Sequence, residues 1–150
     1  MLTTNSLSYL AQLIHNFCGV YSINTLPMLQ DLNCHHAATV VNNQQQQQGN
    51  CNPKTLIVNL DTDNLPGSHW VAIAAEGGVI EIFDSFGLPL PPLLQSWASA
   101  QQCRWIYEPL LMVQKPDAIT CGYYALIFCI ARCYFNTLLE TICYIDTLKI

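Results

Sequence analysis

Apolar and polar positions along the chain follow patterns that predict short helices and strands. Residues 6–14 carry leucine, isoleucine and alanine at helical spacing, which predicts an N-terminal helix. Residues 56–60, 70–74 and 79–83 are short runs rich in β-branched and other apolar side chains, which is typical of strands. The glycine pair within residues 76–78 joins the last two runs and predicts a tight hairpin.

The remaining segments complete the predicted fold. Residues 17–27 have the composition of an irregular segment that ends in a turn. A short helix is predicted over residues 93–100 and an edge strand over 104–107. From Cys121 to about residue 136 the apolar density predicts a buried helix, and a last helix is expected from residue 137 to about residue 148, around residues 142–147. These elements predict an α+β fold with a small central sheet, antiparallel or mixed, flanked by helices.

One segment stands apart by its composition. Residues 42–50 contain five consecutive glutamines and no apolar side chain, which predicts a polar surface loop. The loop is not expected to separate two domains, because 150 residues suffice for one core but divide poorly into two. We therefore predict a single domain over residues 1–150.

The charge content narrows the choice of partners. Charged residues make up 10% of the chain against 51% apolar residues, and the net charge is −5 with isolated basic residues. DNA or RNA is not expected as the principal ligand, because binding to phosphates needs a positive patch. The longest apolar run, residues 123–131, is too short to cross a membrane, and no secretory signal is recognisable. We expect a soluble intracellular protein whose apolar surplus lies in the core or at a docking surface.

Eight cysteines raise the question of disulfides or a metal site. Without a secretory signal a disulfide framework is not predicted, and no C-x-x-C pair marks a zinc site. Cys129, Cys133 and Cys143 lie in strongly apolar sequence, where a free cysteine behaves as a small hydrophobic residue. We predict buried structural thiols at these three positions and no bound metal.

The predicted hairpin brings a histidine and an aspartate together. His69 opens its first strand and Asp84 closes its second. If the turn centres on Glu76-Gly77, these two residues stand directly opposite, with Cβ atoms about 4.5–5.5 Å apart. A carboxylate beside an imidazole fixes the tautomer of the ring and stabilises its charged form. Taken alone, His69 is equally well explained as a partly buried surface residue, and Asp84 as the start of a turn.

Cys121 is the candidate nucleophile. It precedes Gly122 and the longest predicted helix, so it lies in the first turn of that helix. The free N–H groups and partial positive charge of a helix N-terminus favour thiolate over thiol, and Gly122 leaves room for a substrate backbone. The N–H of Cys121 is a candidate donor to an oxyanion, and the side-chain amide of Gln114, seven residues upstream, is a second. Gln114 alone would be interpreted as a solvated loop residue.

Four motifs in this order resemble the adenovirus proteases and their relatives in large virus-like transposons and DNA viruses. They are Gly67-Ser68-His69-Trp70, Phe83-Asp84-Ser85-Phe86-Gly87-Leu88, Val113-Gln114 and Cys121-Gly122-Tyr123-Tyr124. The resemblance covers roughly residues 17–135, and the spacing from Gln114 to Cys121 is the one that the family uses. The chain order argues against a papain-like enzyme, in which the cysteine precedes the histidine.

The resemblance implies a thiol peptidase whose cleft is like that of papain but is built in a different chain order. It implies that His69 is the general base, that Asp84 orients it and that Cys121 attacks the scissile carbonyl. Gln114 would help to form the oxyanion hole with the backbone of Cys121. Trp70 is expected to pack near the imidazole, although plain burial in the core explains it equally well. No cofactor is required.

The resemblance also implies substrates, a location and activators. Polypeptide substrates are expected, with viral structural precursors cleaved during particle maturation, in the host nucleus or cytoplasm or within virions. The adenovirus enzymes are basic and use viral DNA and a viral peptide as activators, whereas this chain is acidic, so DNA stimulation is not expected. Cys103 lies eleven residues before Gln114, as does the cysteine that bridges the adenovirus enzyme to its activating peptide. Cys103 is therefore either the partner of such a peptide or an idle thiol.

Two other functions fit the same residues. A protease of the same broad clan that removes ubiquitin-like modifiers from host proteins would share the fold and the triad. A non-enzymatic capsid-associated module would keep the fold alone. The intact set of histidine, aspartate, glutamine and cysteine favours an enzyme over such a module.

Overall fold

The computed structural model describes residues 3–32, 53–65, 69–108, 112–148 and 150. Its helices are α1 (Thr4–Ala11), α2 (Pro92–Ala100), α3 (Cys121–Ala131) and α4 (Leu138–Thr147), with a short 3₁₀ helix at Leu29–Asp31. Its strands are β1 (Phe17–Ser22), β2 (Lys54–Asn59), β3 (Trp70–Glu76), β4 (Val79–Phe83) and β5 (Arg104–Tyr107). The predicted glutamine-rich loop lies outside the described residues.

The strands of the described residues form one sheet in the order β1-β2-β3-β4-β5. β2, β3 and β4 are antiparallel to one another, whereas β1 runs parallel to β2 and β5 parallel to β4. Helices pack on both faces of this mixed sheet. The predicted α+β class is therefore confirmed, and so is the edge position of β5.

The two faces of the sheet carry two cores, because successive residues of a strand point to opposite sides. Ala72 of β3 belongs to a core shared with α1, α3 and α4, while Val71 belongs to a core shared with α2. In the first core, Phe128 of α3 stacks on Phe83 of β4 with ring centroids 4.8 Å apart. Burial of one phenylalanine stabilises a fold by about 1.5–3 kcal/mol. This packing fixes α3, and with it the position of Cys121, against the sheet.

β1 is a strand that the local sequence does not predict. Residues 17–27 are predicted to be irregular, but Phe17–Ser22 pairs in parallel with β2. The register shifts between Phe17 and Val20, and the side chains show no regular alternation of burial. A parallel edge strand with such an irregularity depends on hydrogen bonds to a strand distant in sequence. Its own residues therefore carry no clear strand signal.

The turn between β3 and β4 is centred one residue later than predicted. Glu76 pairs with Val79, so the loop consists of Gly77 and Gly78. Both glycines have positive φ angles, 57° and 76°. A type I′ turn requires positive φ at both central positions, which glycine adopts without strain.

This shift changes the predicted partner of His69. Phe83 pairs with Ala72, so the extended register places Phe86, and not Asp84, opposite His69. The predicted direct pairing of His69 with Asp84 is therefore wrong by two positions. The two residues are diagonal neighbours instead, a separation that side chains can still bridge.

The cysteines agree with the prediction only in part. Cys129 is fully buried, but Cys133 is half-buried and Cys143 is exposed. Ile142 and Ile145 lie on the buried side of α4, which is amphipathic, whereas Cys143 and Tyr144 are exposed, so an apolar local sequence does not imply burial of every position. Cys18 is disulfide-bonded, which the sequence pattern does not predict.

Part of the apolar surplus lies on the surface and part in the cores. Mostly apolar side chains of α1, α3, α4 and the residues that follow these helices line two grooves of about 410 and 380 Å³, which share Ile130 and Tyr134. His69, Asp84 and Cys121 line neither groove. Among the helices of the described residues, none has the length and apolar character needed to cross a membrane.

Candidate active site

Cys121 is the first residue of α3, as predicted, and only 3% of its surface is exposed. Thr120 is the N-cap residue, but its side chain makes no capping hydrogen bond. The first turn of α3 therefore keeps backbone N–H groups without a capping side chain, and the partial positive charge of the helix end favours a thiolate at this position.

His69 lies immediately before β3, and its Nε2 atom is 2.7 Å from Oδ1 of Asp84. Both side chains are shielded from solvent, with 12% of His69 and 2% of Asp84 exposed. The ring of His69 also contacts that of Phe86, with centroids 5.1 Å apart, as the register requires. The structure thus brings the predicted histidine and aspartate together, although through a different strand register.

The turn after β4 holds the carboxylate of Asp84 in place. Oδ1 accepts the backbone N–H of Phe86 at 2.8 Å, and the backbone carbonyl of Asp84 accepts the N–H of Gly87 at 3.0 Å. An aspartate that bonds to the N–H two residues later stabilises a local turn. Asp84 therefore starts a turn and bonds to His69 at the same time, and its catalytic role stays a prediction.

The imidazole and the thiol shift each other's pKa in opposite directions. Burial by itself lowers the pKa of His69, but the hydrogen bond with Asp84 and the electrostatic attraction of Asp84 and Cys121 outweigh burial and raise the pKa from 6.5 to about 9. Burial raises the pKa of Cys121, but interactions with His69 and with the backbone N–H of Trp70 outweigh burial and lower the pKa. Both shifts favour an imidazolium paired with a thiolate.

The two ring nitrogens of His69 have different surroundings. Nε2 is bonded to Asp84, whereas Nδ1 is buried and has no hydrogen-bond partner of good geometry among the described residues. Cys121 nevertheless raises the pKa of His69, and Nδ1 is the ring nitrogen that the bond to Asp84 leaves available. The interaction between the imidazole and the thiol is therefore electrostatic attraction. Catalytic hydrogen bonds are often loose in free enzymes and tighten when substrate binds.

Gln114 precedes α3 in the chain and is buried, with 2% of its surface exposed. Its Oε1 accepts the hydroxyl of Ser85 at 2.6 Å, and its Nε2 donates to the carbonyl of Ala118 at 2.7 Å. The interpretation of Gln114 as a solvated loop residue is therefore wrong. The predicted oxyanion donor is anchored to the residue that follows Asp84.

Trp70 and Gly122 act on Cys121 through their backbones. Burial raises the pKa of the thiol, but the backbone N–H groups of Trp70 and Gly122 lie close enough to lower it. The indole of Trp70 is buried in the core that α3 shares with the sheet. Trp70 is thus a core residue and also a neighbour of the site. Gly122 is itself buried in the first turn of α3.

Cys103 does not belong to this group of residues. It is a free, half-buried thiol directly before β5, and it packs against the core on the α2 side of the sheet. Its role as the partner of an activating peptide stays a prediction. Within the described ranges, no group of three or more histidine, cysteine, aspartate or glutamate side chains is placed to hold a metal ion.

Two residues near the site were not singled out from the sequence. Ser85 follows Asp84 within one of the four motifs, so its position was a signal that could have been used. Tyr107 lies on β5, where burial and the charge of Asp84 raise the pKa of its hydroxyl, which donates to the carbonyl of Leu88. Nothing local marks Tyr107, because β5 meets β4 only in the tertiary structure.

Comparisons with known proteins add little to this geometry. No family model and no curated protein matches the sequence. Among solved structures, the ASFV pS273R protease is similar with a TM-score of 0.46 and 21% sequence identity. The alignment covers 63% of this chain and 42% of that protease, so the chain spans less than half of its length. A similarity this low assigns neither a family nor an activity, and the resemblance to adenovirus proteases stays a prediction.

The reactivity of Cys121 is expected to depend on Asp84. In the wild-type protein the pKa of the Cys121 thiol is lowered from its ordinary value, because an imidazolium that persists to about pH 9 interacts with it. In Asp84→Asn the imidazole loses its proton at lower pH, so the midpoint for thiolate formation should move upward. The rate of alkylation of Cys121 by iodoacetamide, followed against pH by peptide mass spectrometry, measures this midpoint. The exposed Cys143 is an internal reference, and equal midpoints in both proteins would contradict the pairing.

Proposed function

We propose that this protein is a cysteine endopeptidase that hydrolyses peptide bonds with Cys121, His69 and Asp84. The observation that carries the proposal is the 2.7 Å hydrogen bond between His69 and the buried Asp84, beside Cys121, whose pKa is lowered in spite of burial. The thiolate is the nucleophilic form of cysteine, so a site that stabilises it is prepared to attack a carbonyl group.

In the proposed acylation step, the sulfur of Cys121 attacks the carbonyl carbon of the scissile peptide bond. The π electrons of the carbonyl move to its oxygen, and the backbone N–H of Cys121 and the amide of Gln114 stabilise the resulting oxyanion. When the carbonyl re-forms, the C–N bond breaks and the leaving nitrogen takes the proton of the His69 imidazolium. The products are a free amine and a thioester on Cys121.

In the proposed deacylation step, water replaces the amine as the reacting partner. His69, now neutral, takes a proton from the water as its oxygen attacks the thioester carbonyl. A second oxyanion forms and collapses, the C–S bond breaks, and the carboxylic acid leaves. Cys121 returns as a thiolate beside the imidazolium, held by Asp84, so no cofactor is consumed.

Viral or virus-like structural precursors are the proposed substrates, cleaved during particle maturation. The support for this finer proposal is the order and spacing of the four sequence motifs, and removal of ubiquitin-like modifiers is the alternative. Incubation with a peptide from a structural precursor and with a modifier conjugate distinguishes the two. Cleavage of the conjugate alone would favour the alternative.

The proposed nucleophile is tested with a peptide that carries a thiol-reactive electrophile. One equivalent of the probe should attach to wild-type protein, and peptide mass spectrometry should locate it on Cys121. Cys121→Ala should show no labelling at comparable probe concentration. Cys143→Ala is the matched control, because it removes an exposed thiol on α4 and should label like the wild type.

Labelling of Cys121→Ala at the wild-type rate would show that another thiol reacts and would overturn the assignment. Peptide cleavage by Cys121→Ala would likewise overturn the assignment of Cys121 as the nucleophile. Failure of the wild-type protein both to react with the probe and to cleave any peptide would favour the non-enzymatic module.

A further inference from the structure

Ser85 connects the part of the candidate site that contains Asp84 with the part that contains Gln114. It follows Asp84 directly and is buried, with 2% of its surface exposed. Its hydroxyl donates to Oε1 of Gln114 at 2.6 Å, and its backbone carbonyl accepts the N–H groups of Val113 and Gln114, each at 3.0 Å. Three hydrogen bonds thus tie the turn that holds Asp84 to the segment that carries Gln114.

These contacts determine which way the amide of Gln114 points. The carbonyl of Ala118 can only accept a hydrogen bond, so the NH₂ end of the amide must face it. The oxygen end then faces Ser85, whose hydroxyl must donate. Reversal of the amide would place two acceptors against each other at Ala118. The orientation of Gln114 is therefore set by its two neighbours together.

The same contacts leave one donor of Gln114 available. Its Nε2 atom carries two N–H bonds, and among the described residues only the carbonyl of Ala118 accepts from it. Rotation about the terminal torsion of a glutamine is soft, so an amide without fixed partners would sample many directions. The hydrogen bonds with Ser85 and Ala118 together remove this freedom, and the hydroxyl of Ser85 is the partner that holds the oxygen end.

We propose that Ser85 is a positioning residue that fixes the side-chain amide of Gln114 so that its second N–H can stabilise the oxyanion of peptide hydrolysis. The proposal rests on the proposed function. It differs from a role for Ser85 in folding alone, because its effect on catalysis passes entirely through Gln114.

Ser85→Ala is expected to lower kcat for a cleavable peptide with little change in KM. Loss of one oxyanion-hole donor lowers kcat by about 10²–10³-fold. Misplacement of a donor that is still present should lower kcat by a smaller factor, about 10-fold. KM should stay near the wild-type value because the oxyanion forms only in the transition state. Ser96→Ala, an exposed serine of α2, is the matched control and should have wild-type kinetics.

A double-mutant cycle separates positioning from general damage. If Ser85 acts through Gln114, the variant Ser85→Ala/Gln114→Ala should have the same kcat as Gln114→Ala alone. If the double variant instead loses kcat by the product of the two single-variant factors, the proposal is overturned. The rate of alkylation of Cys121 by iodoacetamide should be unchanged in Ser85→Ala, since that reaction forms no oxyanion, and a large decrease would mean that the whole site is disturbed.

A measurement without turnover keeps this proposal distinct from the proposed function. In ¹⁵N-labelled protein the side-chain NH₂ resonances of Gln114 are identified by their absence in Gln114→Ala. They should shift or broaden in Ser85→Ala and remain unchanged in Ser96→Ala. Unchanged resonances in Ser85→Ala would overturn the positioning role. Shifted resonances in a protein that cleaves no peptide would support the fixed amide but overturn its use in hydrolysis, and with it the proposed function.

Discussion

Replacement of His69 by alanine is expected to lower kcat/KM for a cleavable peptide by about 10³–10⁴-fold at pH 7, the upper part of the range for general acid–base catalysis. Two losses combine in this variant. The thiolate of Cys121 loses the cation that lowers its pKa against the effect of burial. The leaving amine also loses the group that would protonate it. Initial rates of peptide cleavage, with Cys121→Ala as the baseline, measure the effect.

The variant also leaves a buried carboxylate without its main partner, because only 2% of the Asp84 side chain is exposed. The double variant His69→Ala/Asp84→Asn removes that charge. It should recover thermal stability relative to His69→Ala while its activity stays as low. Such a result separates the chemical role of His69 from its contribution to folding.

Imidazole added to His69→Ala provides a second check. A small base that enters the vacated space should restore part of the activity in proportion to its concentration. Retention of more than about one tenth of the wild-type kcat/KM in the folded variant, a loss below the usual range of about 10²–10⁴-fold, would contradict the assignment of His69 as acid and base.

Replacement of Arg132 by methionine is expected to lower the free energy of unfolding by about 3–5 kcal/mol, the usual effect of breaking a buried ion pair from one side. Arg132 is the C-cap residue of α3, and only 4% of its side chain is exposed. Its Nε donates to Glu81 of β4 at 2.5 Å, and its Nη1 donates to the carbonyl of Phe135 at 2.6 Å. Glu81 in turn accepts the N–H of Leu138, the first residue of α4, at 3.2 Å.

This cluster joins the sheet, the end of α3 and the start of α4, so its removal should lower the stability of the whole fold and not of one segment alone. Urea unfolding followed by circular dichroism measures the change, and the melting temperature should fall by on the order of 10 °C. Arg104→Met is the matched control, because Arg104 is exposed on the edge strand β5. It should change stability by less than about 0.5 kcal/mol.

The pair itself is tested by a second change at Glu81. In Arg132→Met/Glu81→Gln the uncompensated buried charge is gone, while an amide oxygen can still accept from Leu138. This variant should be more stable than Arg132→Met alone. Equal stability of Arg132→Met and wild type would show that the cluster contributes nothing to the fold.

Local patterns predicted the elements whose signals lie within one segment. Residues 79–83 form a strand as predicted, and the helix that starts at Cys121 begins at the predicted residue, because apolar runs and a following glycine are local signals. The helix ends at Ala131, earlier than predicted, and its C-cap residue Arg132 forms an ion pair with Glu81. β1 was missed because its strand character depends on β2, far away in sequence.

The candidate site shows the same division between features that local sequence predicts and contacts that depend on distant segments. A histidine before one strand, an aspartate after the next and a cysteine before a long helix could be chosen from the sequence. Their contact could not be derived correctly, since a one-residue change in the centre of the glycine turn moves the partner of His69 from Asp84 to Phe86. Diagonal reach of the side chains, and not direct pairing, produces the 2.7 Å hydrogen bond.

By itself, the sequence determined the α+β class, the acidic and apolar character of the chain and the identities of the candidate nucleophile, general base and orienting carboxylate. Only the tertiary structure decided that Gln114 is buried, that Ser85 bonds to it and that Arg132 joins three elements. The physical reason is that periodicity and turn composition are properties of neighbouring residues. Hydrogen bonds between buried polar groups depend on the packing of segments far apart in the chain, and a pattern read along one segment does not contain that information.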